Sequence, residues 1–191
     1  MAQRKSSTRR NPRRKTASRR TSRRSTSTRS DAISLLKDDH QRVRTMFERF
    51  ERTRGDAQKE RLAGQICDEL KVHAQIEEEI FYPAVREAIE DDDLMNEAQV
   101  EHNSAKELIA QIEASSPSDE RYDALVKVLG EYVLHHVKEE EREMFKEARG
   151  ADVDLAGLGE QLKERKRVLT SGSAGERIAG RLASAIGARS R

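Results

Sequence analysis

Between Ser30 and Gly150 the chain carries four apolar stripes of helical period, each interrupted by residues that are costly to bury. In the first stretch Ile33, Leu36, His40, Val43, Phe47 and Phe50 lie three or four apart. That spacing puts side chains on one face of an α-helix. In the second stretch Leu62, Ile66, Leu70, His73, Glu77 and Ile80 share a face. The third has Leu94, Ala98, His102, Ala105, Ile109 and Ile112, and the fourth has Leu125, Leu129, Val133, His136, Val137, Glu140 and Met144. One inward histidine is an ordinary core residue. Four imidazoles and two carboxylates on inner faces are not, because an unpaired buried carboxylate loses several kcal/mol of solvation.

Punctuation between the stripes sets the architecture. Ser30 is a favourable N-cap for the first helix, and Gly55 stops it near Arg54. Pro83 is expected to kink or end the second helix, since proline lacks a backbone donor and clashes with the preceding turn. The run Asp91-Asp92-Asp93 caps the third helix and puts negative charge at its start. Ser116-Pro117 is expected to open the fourth, which Gly150 ends. The connections are short, so neighbouring helices run antiparallel. The expected fold is all-α, an up-down-up-down four-helix bundle over residues 31–150.

The two ends differ from this body. Residues 1–30 carry twelve Lys or Arg and no acid, leaving 25 basic against 35 acidic side chains in the rest. The tail's apolar side chains are limited to Met1, Ala2, Pro12 and Ala17, too few to offset the entropy of ordering, so a disordered basic tail is expected. Such a tail either contacts a polyanion such as nucleic acid non-specifically, through phosphate neutralisation, or is a solubilising extension. Residues 151–191 are expected to form a helix from Asp154 to Leu169. A break at Ser171-Gly172-Ser173 follows, then a weakly packed segment with Ile178, Leu182 and Ile186 on a narrow stripe. No apolar run approaches the length of a membrane span, and no apolar core of a signal peptide is present, so a cytoplasmic location is expected. The lone Cys67 sits in an apolar helical pattern and reads as a packed thiol.

His73-x-x-x-Glu77 and His136-x-x-x-Glu140 each place an imidazole and a carboxylate one turn apart on the same helical face. His40 precedes the first pair by 33 residues and His102 the second by 34, so the halves read as a repeat. Four imidazoles and two carboxylates exceed one tetrahedral zinc. They suit two ions sharing carboxylate bridges, with iron or manganese favoured by the mixed nitrogen and oxygen donors. His135-x-x-x-Glu139 has the same spacing. His135 neighbours Glu131 and Tyr132, however, whereas His136 shares a face with Leu129, Val133 and Met144. His136 is therefore the inward choice, and His135 a surface or supporting residue.

With these residues the chain resembles the hemerythrin-like HHE cation-binding family. The matching text is Leu-Leu-Lys-Asp-Asp-His40, His73-Ala-Gln-Ile-Glu77-Glu-Glu-Ile-Phe-Tyr-Pro83, Glu101-His102 and His136-Val-Lys-Glu-Glu140-Glu-Arg-Glu-Met-Phe. The resemblance implies a non-haem di-iron centre with His40, His73, Glu77, His102, His136 and Glu140 as ligands and the two glutamates as bridges. Iron stands ahead of manganese or zinc. Oxygen-carrying hemerythrins have a second histidine where this chain has Lys106, and Asp where it has Glu140. The set here is closer to bacterial and iron-sensing members. Lys146 stands where the other half has Pro83, so the fourth helix is expected to run on unbroken. The functions implied are binding, sensing or reacting with O2, peroxide or NO. Iron buffering and a nucleic-acid-associated role through the tail are the alternatives.

Overall fold

The computed structural model describes residues 31–89 and 92–187, with side chains described as far as 172. The fold is all-helical. α1 (Ala32–Arg52) and α2 (Asp56–Ile76) form one hairpin; α4 (Asp92–Glu113) and α5 (Tyr122–Arg142) form the other. A π-helical turn (Glu77–Phe81) and α3 (Tyr82–Ala88) continue α2, and α6 (Met144–Gly150) continues α5. α7 (Leu155–Gly187) then lies along α1 and α2 and against the π turn. The basic tail, residues 1–30, and the side chains of Ile178, Leu182 and Ile186 lie outside the described residues.

Local chemistry moved several of the expected boundaries. The cap of α1 is Asp31, whose carboxylate accepts the Ser34 N–H at 2.8 Å. Gly55 opens α2 instead of closing α1. Its φ of +87° suits glycine alone, and its carbonyl accepts from the N–H groups of Gln58 and Lys59. Asp92 and Asp93 occupy the first turn of α4 as expected, while Asp91 lies outside the described residues. Pro117 does not open α5. The Asp119 carboxylate accepts the Ser116 N–H at 2.7 Å and the Asp119 N–H returns to the Ser116 carbonyl, closing a turn that delays the helix to Tyr122.

Pro83 removes a donor, and the helix answers by widening. The Tyr82 N–H bonds to the Glu77 carbonyl, five residues back, and Pro83 then falls in the first turn of α3, where no donor is needed. The other half has no proline, yet α5 also breaks, at Glu143 (φ −111°, ψ −70°), so the fourth helix does not run on unbroken. Both irregularities follow a buried glutamate, Glu77 or Glu140. The distortion therefore goes with the polar layer and not with the proline alone.

The predicted break at Ser171-Gly172-Ser173 is also absent, and α7 passes through it. The Thr170 and Ser171 hydroxyls bond to carbonyls one turn back, so these small polar residues are absorbed within the helix.

Two apolar clusters fill the bundle. One is centred on Phe47, Ile66, Tyr122 and Leu129, the other on Ile33, Phe81, Phe145 and Leu162 of α7. Between them lies a polar layer of histidines and glutamates. α1 and α5 approach closely at Gly130, where an added Cβ would stand 3.0 Å from the Phe47 ring. Among the described residues no helix is long and apolar enough to cross a membrane.

Candidate metal centre

The six inward residues read from the sequence all reach the polar layer, and all are buried: His40, His73, Glu77, His102, His136 and Glu140. The stripes bring them there because each helix holds its polar positions at the same level between apolar ones. His40 Nε2 and His73 Nε2 lie 3.1 Å apart, and His102 Nε2 and His136 Nε2 lie 3.2 Å apart. The two histidine pairs come from different hairpins. Glu77 stands between them, with Oε1 3.2 Å from His73 Nε2 and Oε2 3.5 Å from His102 Nε2. Glu140 Oε2 is 3.2 Å from His40 Nε2. Two overlapping donor groups result: His40, His73, Glu77 and Glu140, then Glu77, His102 and His136.

Each histidine also turns its outer nitrogen, Nδ1, towards a carboxylate. His40 faces Glu141 at 3.0 Å, His102 faces Glu78 at 2.9 Å and His136 faces Glu101 at 2.7 Å. His73 faces Asp39 at 3.7 Å, within reach of charge attraction but long for a hydrogen bond. Such partners fix the tautomer that leaves Nε2 free for a ligand and raise its basicity. A sequence pattern was available for them. Asp39 and Glu101 each precede a site histidine, and Glu78 and Glu141 each follow a site glutamate. Glu78 and Glu141 stand in acidic runs that look like solvated surface, and helical periodicity alone does not single out Asp39 or Glu101.

Aromatic rings close the layer on one side. Phe145 stacks on His40 at 5.7 Å, and Tyr82 lies over His102 at 5.4 Å with its hydroxyl 3.3 Å from His102 Nε2. Tyr82 is a further residue not singled out in advance. Burial, together with the charges of Glu140 and Glu77, pushes its phenol well above the ordinary value, so it stays a neutral proton donor. His135 is not in the layer. Its side chain is 61 % exposed, with Nε2 3.3 Å from Glu139 Oε1.

Electrostatics test whether a cation fits. Burial and repulsion from Glu140 push the Glu77 carboxyl well above its usual range. Burial also acts on Glu140, but His40, with Nε2 3.2 Å away, and the charges of the other histidines hold it low. Burial lowers His73 to about 4, against the pull of Asp39, so its ring is neutral at physiological pH and able to ligate. Burial opposes protonation of His136 as well, but the Glu101 hydrogen bond raises it. All four oxygens of Glu77 and Glu140 lack a hydrogen-bond donor. Two fully buried carboxylates without donors, facing four imidazole nitrogens, are the arrangement that multivalent cations stabilise.

An apolar cavity of about 40 Å³ adjoins the histidines, walled by Val43, Leu70, Ile109, Val133 and Val137. It has room for a water or a diatomic molecule.

Comparison with known proteins agrees. A crystal structure of a hemerythrin HHE cation binding domain-containing protein from Mycobacterium kansasii superposes with a TM-score of 0.67 at 21% identity, covering 76% of this chain and 91% of that one. That likeness concerns the fold. A protein named DNA nickase from Nostoc sp. is 32% identical over 111 residues, 58% of this chain. The aligned part is 31% of that relative's length. The family model described as the hemerythrin HHE cation binding domain matches residues 31–148. The chain therefore belongs to the hemerythrin HHE cation-binding family, a family of metal-binding domains, and its own buried His and Glu clusters fit a metal site.

Proposed function

We propose that the chain is a non-haem di-iron protein that binds, senses or reacts with O2, peroxide or NO. The observation that carries this is the pair of overlapping donor groups joined by Glu77. His40 and His73 would hold one ion and His102 and His136 the other, with Glu77 and Glu140 bridging. Iron is favoured over zinc because a closed tetrahedral zinc site needs one set of four donors, not two sets sharing carboxylates. Bound iron supplies redox chemistry and open positions for a small ligand. The protein's own part is to hold the imidazoles by their outer carboxylates and to exclude bulk water with two apolar clusters. It also presents the Tyr82 hydroxyl as a proton donor beside His102. The small apolar cavity supports a ligand of diatomic size.

The test is anaerobic iron loading followed by O2, peroxide and NO in turn. The expected result is a near-ultraviolet and visible spectrum of a coupled iron pair that changes with at least one of the three. Rapid iron release with no spectral response to any of them would favour iron buffering and overturn this reading.

A second reading has one observation of its own. The Nostoc sp. relative is named a DNA nickase, and residues 1–30 carry twelve cationic side chains without an acid. Contact with DNA phosphates through the tail would fall steeply with salt. Equal retention of the full chain and of a chain lacking residues 1–30 on DNA at low salt would exclude it.

A further inference from the structure

Between α4 and α5 a small cavity borders the polar layer, and a histidine and acids gather beside it. His135, Glu139 and Glu101 bring one donor atom each within 4.8 Å of the others. Beside them a cavity of about 10 Å³ is lined by the acids Glu97, Glu101 and Glu139, by the apolar Leu94, Ala98 and Met144, and by the buried His136 and Glu140. Glu140 is 2 % exposed, and neither of its carboxylate oxygens has a hydrogen-bond donor. The cavity is the size of a single water or a bare ion.

The other half of the bundle provides an internal control. Setting His40 against His102 and His73 against His136 pairs Leu35 with Glu97, Asp39 with Glu101, Val72 with His135 and Ile76 with Glu139. Three of the four positions are therefore apolar in the α1–α2 half. α7 covers that face, and its Lys166 donates to Asp39 at 2.5 Å. A repeat that kept its inner ligands has placed acids and a histidine over one approach and a lysine over the other.

We infer that the α4–α5 gap is the cation entry route, with His135, Glu139 and Glu101 as a capture site for a divalent metal ion, ferrous iron first, which then passes to Glu140 and His136. The donor set of one imidazole and two carboxylates is open and weakly held, as a transfer site requires, and suits ferrous iron, manganese or zinc alike. Acidic walls raise the local concentration of cations and hence the uptake rate. This inference rests on the buried layer being a metal centre.

The experiment is anaerobic stopped-flow uptake of ferrous iron by metal-free full-length protein, comparing wild type, the double variant His135→Ala/Glu139→Gln, Glu97→Gln, and Val72→Ala on the opposite face. The double variant is expected to take up iron about tenfold more slowly and to lose most of the salt dependence of the rate. Its final iron content should equal that of wild type. Glu97→Gln should slow uptake less, and Val72→Ala not at all. Uptake by the double variant at the wild-type rate would overturn the entry route while leaving the metal centre intact. If wild type takes up no iron, the metal centre fails and the route with it.

Discussion

The two hairpins of the bundle carry the same inner chemistry under different covers. In each, one histidine comes from the first helix and a His-x-x-x-Glu pair from the second, with matching outer carboxylates. Even the rings correspond: Tyr82 from one half lies over His102 of the other, and Phe145 lies over His40. The covers do not correspond. The α1–α2 face is closed by α7, whose Lys166 pairs with Asp39, whereas the α4–α5 face is acidic and carries the exposed His135. On the proposed reading the inner residues are fixed by the geometry of the ions they would meet, so the repeat is kept there. Its surroundings are free to differ, and there the halves can take on separate tasks of support and access.

The largest effect should come from breaking what the halves share. Glu77→Ala and Glu140→Ala are each expected to lower iron content from about two ions per chain to about one or none, since Glu77 belongs to both donor groups and Glu140 to the first. Metal analysis after gel filtration checks this. Full iron content in either variant would show that the bridge is not needed.

Next is the cover of the closed half. Lys166, with a side chain 17 % exposed, donates to Asp39 at 2.5 Å, and Arg42 lies 3.3 Å from the same oxygen. Burial would raise the Asp39 carboxyl, yet the attraction of His73 and the hydrogen bond from Lys166 hold it below its ordinary value. Lys166→Met removes the nearer donor from that buried carboxylate and leaves Arg42 as its cation, and should cost about 1 kcal/mol in urea unfolding of metal-free protein. Arg165→Ala on the same helix removes an exposed pair with Glu79 and should cost less than about 1 kcal/mol.

A smaller contrast lies deeper in the bundle. In the same alignment Cys67 corresponds to Gly130. Gly130→Ala pushes a methyl against the Phe47 ring and should destabilise by about 1 kcal/mol through overpacking. Cys67→Ala removes a buried sulfur and should cost a similar amount by leaving a void.

The smallest effect is one of pH. Burial raises the Cys67 thiol to about 11. The thiolate is the reactive form, so the folded protein should resist alkylation at pH 8 and react faster only as pH climbs towards that value. Rapid labelling of native protein at pH 8 would mean that the α2 core opens.

The four bundle helices and the six inward residues were legible because burial imposes a period on sequence, and a costly side chain inside that period stands out. His136 could be separated from His135 on the same ground. What was not legible depended on partners distant in the chain. Glu78 and Glu141 sit in acidic runs that look like surface, and only the meeting of hairpins turns one member of each run towards a histidine. Lys166 belongs to a helix whose polar residues gave no sign of packing. The late start of α5 turned on the Asp119 side chain accepting from Ser116, a local bond that competed with the proline signal.

The most direct measurement of the central claim is anomalous diffraction at the iron edge from crystals of the iron-loaded chain. The account predicts two peaks about 3.5–4 Å apart in the polar layer, one beside His40 and His73 and the other beside His102 and His136, with Glu77 between them. A single peak, or none in that layer, would contradict it.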